Sequence, residues 1–163
     1  MLFTKLLSLL LTITLVSGGT GNIPNIKNDK ALQSDVQKDI EAFEKENNRE
    51  VQLPKDLPFR PTKIESSYNK TSNSLRITYY EDKNTIHIDI DNLDKIKSKP
   101  LPKNGTHTKL SDGTEARYFN GKESAAEILI FYKSGLIYGI GFIKQNGTLI
   151  GLEKLRTIAN SLE

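Results

Sequence analysis

Cysteine is absent from the 163 residues and histidine occurs only twice. Without a thiol there can be no disulfide, no zinc thiolate centre and no cysteine nucleophile, so a folded domain of this chain must rely on its core. His87 and His107 are the only imidazoles available to a Ser-His-Asp hydrolase, and no Gly-x-Ser-x-Gly elbow accompanies either. Gly139-Ile-Gly141 is half of a phosphate-binding fingerprint, lacking the third glycine and the helix start that would complete it. No apolar run reaches the roughly 20 residues that cross a bilayer comfortably. Internal repeats and low-complexity tracts are also missing.

Beyond residues 1–21, which carry Lys5 alone among charged residues, 22 basic side chains face 20 acidic ones, with the signs interspersed. That balance offers no basic face, and no nucleic-acid partner is expected. Residues 1–21 themselves read as a targeting segment. Lys5 precedes the eleven-residue apolar run Leu6 to Val16, and Ser17-Gly18-Gly19 supplies small residues for cleavage. The stretch resembles the end of a bacterial lipoprotein signal in which Gly19 stands where the acylated cysteine would be. The expectation is an exported chain, secreted or associated with the envelope, and not lipidated at Gly19.

Residues 22–50 read as a polar tether followed by an amphipathic helix. Leu32, Val36, Ile40 and Phe43 repeat at spacings of four, four and three, which places them on one face of a helix from about Ala31 to Asn47. A single domain is expected over residues 51–163. Its lead-in, Val51 to Pro61, holds Pro54, Pro58 and Pro61, which forbid helix and favour extended backbone. Val51, Leu53, Leu57 and Phe59 are placed to pin it on a core.

From Thr62 the apolar period becomes two, the signature of half-buried strands. Ile64, Ser66 and Tyr68 form one set, Leu75, Ile77 and Tyr79 a second, and Ile86, Ile88 and Ile90 a third. Leu93 to Lys109 reads as a long basic loop, and Thr114 to Phe119 as a further strand. Ala126 to Tyr132 and Leu136 to Ile143 are apolar at nearly every position, a pattern that predicts strands covered on both sides. Leu152, Leu155, Ile158, Ala159 and Leu162 give a closing helix the stripe to cover one side. The fold class expected is α+β: an antiparallel meander of about six strands, a C-terminal helix on one face and an N-terminal amphipathic helix.

Gly139 and Gly141 share a strand face with Ile137 and Ile143. Two glycines at period two in a strand interior predict the close approach of another element, most simply the last helix, or a bulge. On that reading Gly139→Val overpacks the contact. The other reading of the same four residues is an open ligand face.

The ordered set of Leu53-Pro54, Leu57-Pro58-Phe59, Leu75 to Tyr80, Leu110-Ser-Asp-Gly-Thr-Glu-Ala-Arg-Tyr118, Ile128 to Gly135, Leu136-Ile137-Tyr138 and Leu152 to Leu162 resembles the bacterial domain-of-unknown-function family 4367. The resemblance covers about residues 50–163. That family occurs on extracytoplasmic parts of anti-sigma-factor-like and lipoprotein-like proteins, so the resemblance implies an exported domain with no assigned catalytic residues.

Two surface candidates complete the reading. His87, Asp89 and Asp91 lie on one strand face and offer imidazole and carboxylate donors to a divalent cation. Their spacing of about 7 Å along a strand is long for one ion, and a solvated face opposite three isoleucines is the plainer account. Lys95, Lys97, Lys99 and Lys103 cluster in the basic loop, where they would meet an anionic membrane or wall polymer, or stand as a solvated loop beside the aspartates. No cofactor is expected. The functional expectation is a non-enzymatic, envelope-associated accessory or sensing module that binds a protein or an envelope component. A carrier of a lipid-like ligand is the alternative, and a secreted hydrolase a weaker one.

Overall fold

The structure is a computed structural model and describes residues 34–92, 101–121, 126–143 and 149–163. Its elements run α1 Ser34–Asn47, β1 Lys63–Asn69, β2 Ser74–Glu81, β3 Asn84–Asn92, β4 Thr106–Lys109, β5 Glu115–Phe119, β6 Ala126–Lys133, β7 Leu136–Ile143 and α2 Leu152–Asn160. The α+β class and the antiparallel sheet follow the sequence pattern. The strand number does not: seven strands pair in the order β1-β2-β3-β7-β6-β5-β4.

The sheet is therefore two meanders joined edge to edge, β1 to β3 and β4 to β7, with β3 and β7 antiparallel at the seam. The added strand is β4, inside the stretch expected to be loop. Its sequence, Thr-His-Thr-Lys, has no apolar alternation because it is an edge strand with little burial. Pairing with β5, from Thr106 opposite Tyr118 to Lys109 opposite Glu115, makes it a strand.

Alternation divides the sheet into two unequal faces. Ile64, Leu75, Ile77, Tyr79, Ile86, Ile88, Ile90, Leu129, Phe131, Leu136, Tyr138, Ile140 and Phe142 point to one side and are buried. Both helices pack there. Val36, Ile40 and Phe43 of α1 join that core, as do Leu155, Ile158 and Ala159 of α2. The stripe predicted on α1 thus docks on its own sheet, with Phe43 edge-on to Tyr68 at 5.6 Å. Leu32, the first residue of that predicted stripe, lies outside the described residues, as do the targeting segment and the tether.

The lead-in segment is pinned as its apolar residues predict, with Val51, Leu53, Leu57 and Phe59 all buried. Leu53 and Glu163 exchange both backbone hydrogen bonds, at 3.1 and 3.2 Å, and Lys55 N–H donates to the Ser161 carbonyl at 3.1 Å. The extended lead-in is thereby tied to the residues that follow α2.

Candidate functional site

The other sheet face carries neither helix. Ile128, Ile130 and Tyr132 of β6, and Ile137 and Ile143 of β7, alternate with buried neighbours and are each only partly buried. The expectation that these strands are covered on both sides is corrected here. The apolar side chains that produced it belong to a face that keeps contact with solvent. Antiparallel sheets tolerate one such face because their hairpin connections need not cross it.

Cross-strand register lays this open face out in rows. One row runs Ser67, Arg76, Asp89, Gly139, Ile130, Arg117 and His107 from one sheet edge to the other. The next runs Thr78, His87, Gly141, Ile128 and Phe119, and a third runs Ser74, Asp91, Ile137 and Tyr132. The β1 to β3 half is polar and the β5 to β7 half apolar, with Gly139 and Gly141 on the seam between them.

At that seam the packing expectation is also corrected. A Cβ built on Gly139 would meet the Asp89 Cβ at 3.7 Å, and one on Gly141 would meet the Glu127 carbonyl oxygen at 3.9 Å and Ile128 at 4.0 Å. These are ordinary van der Waals distances to neighbouring strands, not contacts with the last helix, which sits on the opposite face. The register through both glycines is continuous, so no bulge explains them either. Their effect is to leave bare backbone as the floor of a shallow trough. Ile128 and Ile130 form one wall, His87 and Asp89 the other, and Ile137 and Ile143 stand at its ends.

The polar wall is satisfied internally. Arg76 holds Asp89 through two hydrogen bonds, at 2.5 and 3.1 Å. Thr78 Oγ1 lies 3.1 Å from His87 Nδ1, and the Ser74 hydroxyl donates to Asp91. His87, Asp89 and Asp91 are thus set in one line, each held by its own β2 partner. Among the described residues no three potential metal-binding side chains come together. Burial, followed by the Arg76 charge, lowers the His87 pKa and favours neutral imidazole. The other imidazole is remote: His107 pairs with Glu115 at the β4 edge, with β7, β6 and β5 between it and β3.

Among the described residues, the apolar half contains one cation with no such partner. Arg117 on β5 has its neighbours Ile130 and His107 in register, and nearby Glu115 is engaged by His107 and by Lys109 at 2.9 Å. Of the other basic residues on this face, Lys63 is paired with Glu65, and Arg76 with Asp89. Arg117 gave no signal in the sequence beyond its place in an alternating strand. Lys103 is exposed, while Lys95, Lys97 and Lys99 lie outside the described residues.

The covered face has a polar site that sequence reasoning missed. Glu127 is fully buried. Its carboxylate accepts the Tyr118 hydroxyl, the Ile150 N–H at 2.8 Å and the Gly151 N–H at 3.2 Å. It holds the approach to α2, taking the N–H groups of the N-cap residue Gly151 and of the residue before it. Desolvation, then the bond to Glu127, raises the Tyr118 phenol to about 12. A buried carboxylate whose oxygens are taken by three partly buried donors of its own chain suits a fastener rather than a binding site.

No protein-family profile, curated protein or solved structure matches the chain in comparisons of all three kinds.

Proposed function

We propose that the chain is an exported, non-enzymatic module of the bacterial envelope that binds a protein or envelope component through the open sheet face. The supporting observation is the floor of Gly139 and Gly141, bordered by partly buried isoleucines. Export rests on the residue 1–21 pattern, and the family resemblance over residues 50–163 agrees with it. A lipid carrier would need a pouch between helices and sheet. That layer is filled by Ile40, Phe43, Leu155 and Ile158 against the buried strand residues, so the open face is the better supported surface.

Amino-terminal sequencing of the cell product, combined with photocrosslinking from position 130 and, as a control, position 38 on α1, tests the proposal. A start after Gly18 or Gly19, with one envelope component captured from position 130 and not from 38, is expected. A start at Met1 in a soluble cytoplasmic fraction overturns the export reading, and capture from position 38 alone overturns the face.

A further inference from the structure

The trough and Arg117 together define a partner more narrowly. We infer that the open face receives an amphipathic segment of a partner protein, whose apolar side chains fill the Gly139/Gly141 trough and whose single carboxylate pairs with Arg117. This inference rests on the binding role proposed for that face.

Charge selects the occupant. On the described open face, Lys63, Arg76 and Lys109 already have acidic partners in Glu65, Asp89 and Glu115. Arg117 has none among the described residues, so it supplies one unmatched positive charge at the margin of an apolar strip. A planar guanidinium binds a carboxylate with two parallel hydrogen bonds, and apolar surroundings that exclude water strengthen such a pair. An anionic membrane is disfavoured by the same census. Its attraction grows with the number of free cations near the surface, and here the other cations are already paired with acids, while Asp91, which accepts the Ser74 hydroxyl, adds a negative charge.

Shape agrees with the charge. Gly139 and Gly141 remove two side chains from the centre of the face, while Ile128, Ile130, Ile137 and Ile143 surround the gap. A ridge of apolar side chains on the partner would lie in the trough, as the Val36, Ile40 and Phe43 ridge of α1 lies on the covered face. In the register, Gly139, Ile130 and Arg117 follow one another on β7, β6 and β5. A segment seated on Gly139 therefore reaches Arg117 two strands away, about 10 Å at ordinary strand spacing.

The test selects binders for the full chain from a random peptide display library. Binding of the synthesised peptides is then measured to wild type, Arg117→Glu, Gly139→Val and the control Lys38→Glu. Selected peptides are expected to share one acidic residue among apolar ones. Arg117→Glu should weaken them about tenfold or more, and a peptide with that acid changed to Lys should recover binding to Arg117→Glu. Gly139→Val should weaken binding without lowering the thermal melt, because a Cβ there meets only ordinary contacts and valine favours a strand. Peptides without a shared acid, or indifferent to both Arg117→Glu and Gly139→Val, overturn the inference. So does dimerisation abolished by Gly139→Val, which would assign the face to a second copy, or binding only to anionic vesicles. The crosslinking of position 130 in cells is independent of these outcomes: a partner captured there without acid-dependent peptide binding removes this inference and leaves the broader proposal standing.

Discussion

Glu127 on β6 accepts the Gly151 backbone N–H at 3.2 Å, so a fully buried carboxylate of the sheet holds the N-cap residue of the helix that covers it. The same carboxylate accepts the Ile150 N–H and the Tyr118 hydroxyl, and thereby joins β5, β6 and α2 in one contact. Removing it leaves three part-buried donors without their acceptor, at up to about 1–3 kcal/mol for each such group, although relaxation and water entry reduce the sum. Glu127→Ala should lose about 3 kcal/mol or more in urea unfolding. Glu127→Gln should lose clearly less, because the amide oxygen can still accept both N–H groups and its NH₂ can donate to the phenol oxygen. Equal losses in the two variants would show that charge at the helix start, rather than hydrogen bonding, dominates the contact.

Asn47 closes a second buried polar knot. Its Nδ2 donates to the Phe43 carbonyl at 2.7 Å and to Asn73 Oδ1 at 3.2 Å, while its Oδ1 accepts the Asn73 and Asn92 amides at 2.6 and 2.8 Å. The end of α1 is thus tied to the β1–β2 turn and to the end of β3. Asn47→Ala is expected to destabilise by about 2–4 kcal/mol, since it removes acceptors from buried amides. Asn47→Asp should be nearly as damaging, because a carboxylate would face the Phe43 carbonyl and Asn73 Oδ1 without a proton to donate. Stability of Asn47→Asp close to wild type would show that this network adjusts freely.

These two knots mark the limit of what could be read from the sequence. Residues whose burial follows a short period were legible: the isoleucines of β3, the stripe of α1 and the pinned Val51 and Leu53 all behave as their spacing predicts. Asn47, Asn73 and Asn92 meet only after the sheet has assembled, and nothing local distinguishes them from turn residues. Glu127 did leave a trace, being the one acid at an inward position of β6, in phase with Leu129 and Phe131. β4 left none, because a short edge strand needs no apolar face. The glycine pair leaves two readings open in the sequence, because the absence of side chains at Gly139 and Gly141 is equally compatible with a close neighbour or with an open trough. Only the position of α2, on the other side of the sheet, decides between them.

His87 should make stability fall on mild acidification. Burial lowers its folded-state pKa below 6.5, with Arg76 adding to the effect and Asp89 opposing it. Above the unfolded value both states are neutral and the residue contributes no pH dependence. As pH drops through about 6.5, the unfolded imidazole takes up a proton before the folded one, so the unfolded state is favoured. His87→Gln should flatten the change in urea midpoint between about pH 7 and pH 5, where most carboxylates have yet to titrate. Parallel profiles for the two proteins would show that His87 titrates alike in both states.

Tyr79 and Tyr138 pose the same phenol to the same core with opposite results. Both are fully buried, but the Tyr138 hydroxyl accepts the Gln52 N–H at 3.0 Å, whereas the Tyr79 hydroxyl has no hydrogen-bond partner among the described residues. An unmet buried hydroxyl forfeits its hydration with no return, while the ring around it packs as phenylalanine would. Tyr79→Phe is therefore expected to raise stability by about 0.5–1 kcal/mol. Tyr138→Phe should lower it by a similar amount, because the Gln52 N–H is left without an acceptor. Alkaline titration gives an independent check. Burial pushes the Tyr138 phenol up to about 12 from its ordinary value of 10.0, and raises Tyr79 further. Between those values the unfolded phenols ionise first, so wild-type stability falls as pH rises past about 10. Each single Phe variant should lose part of that slope. Destabilisation by Tyr79→Phe at neutral pH would mean that its hydroxyl is hydrogen-bonded in solution, and the contrast between the two tyrosines would disappear.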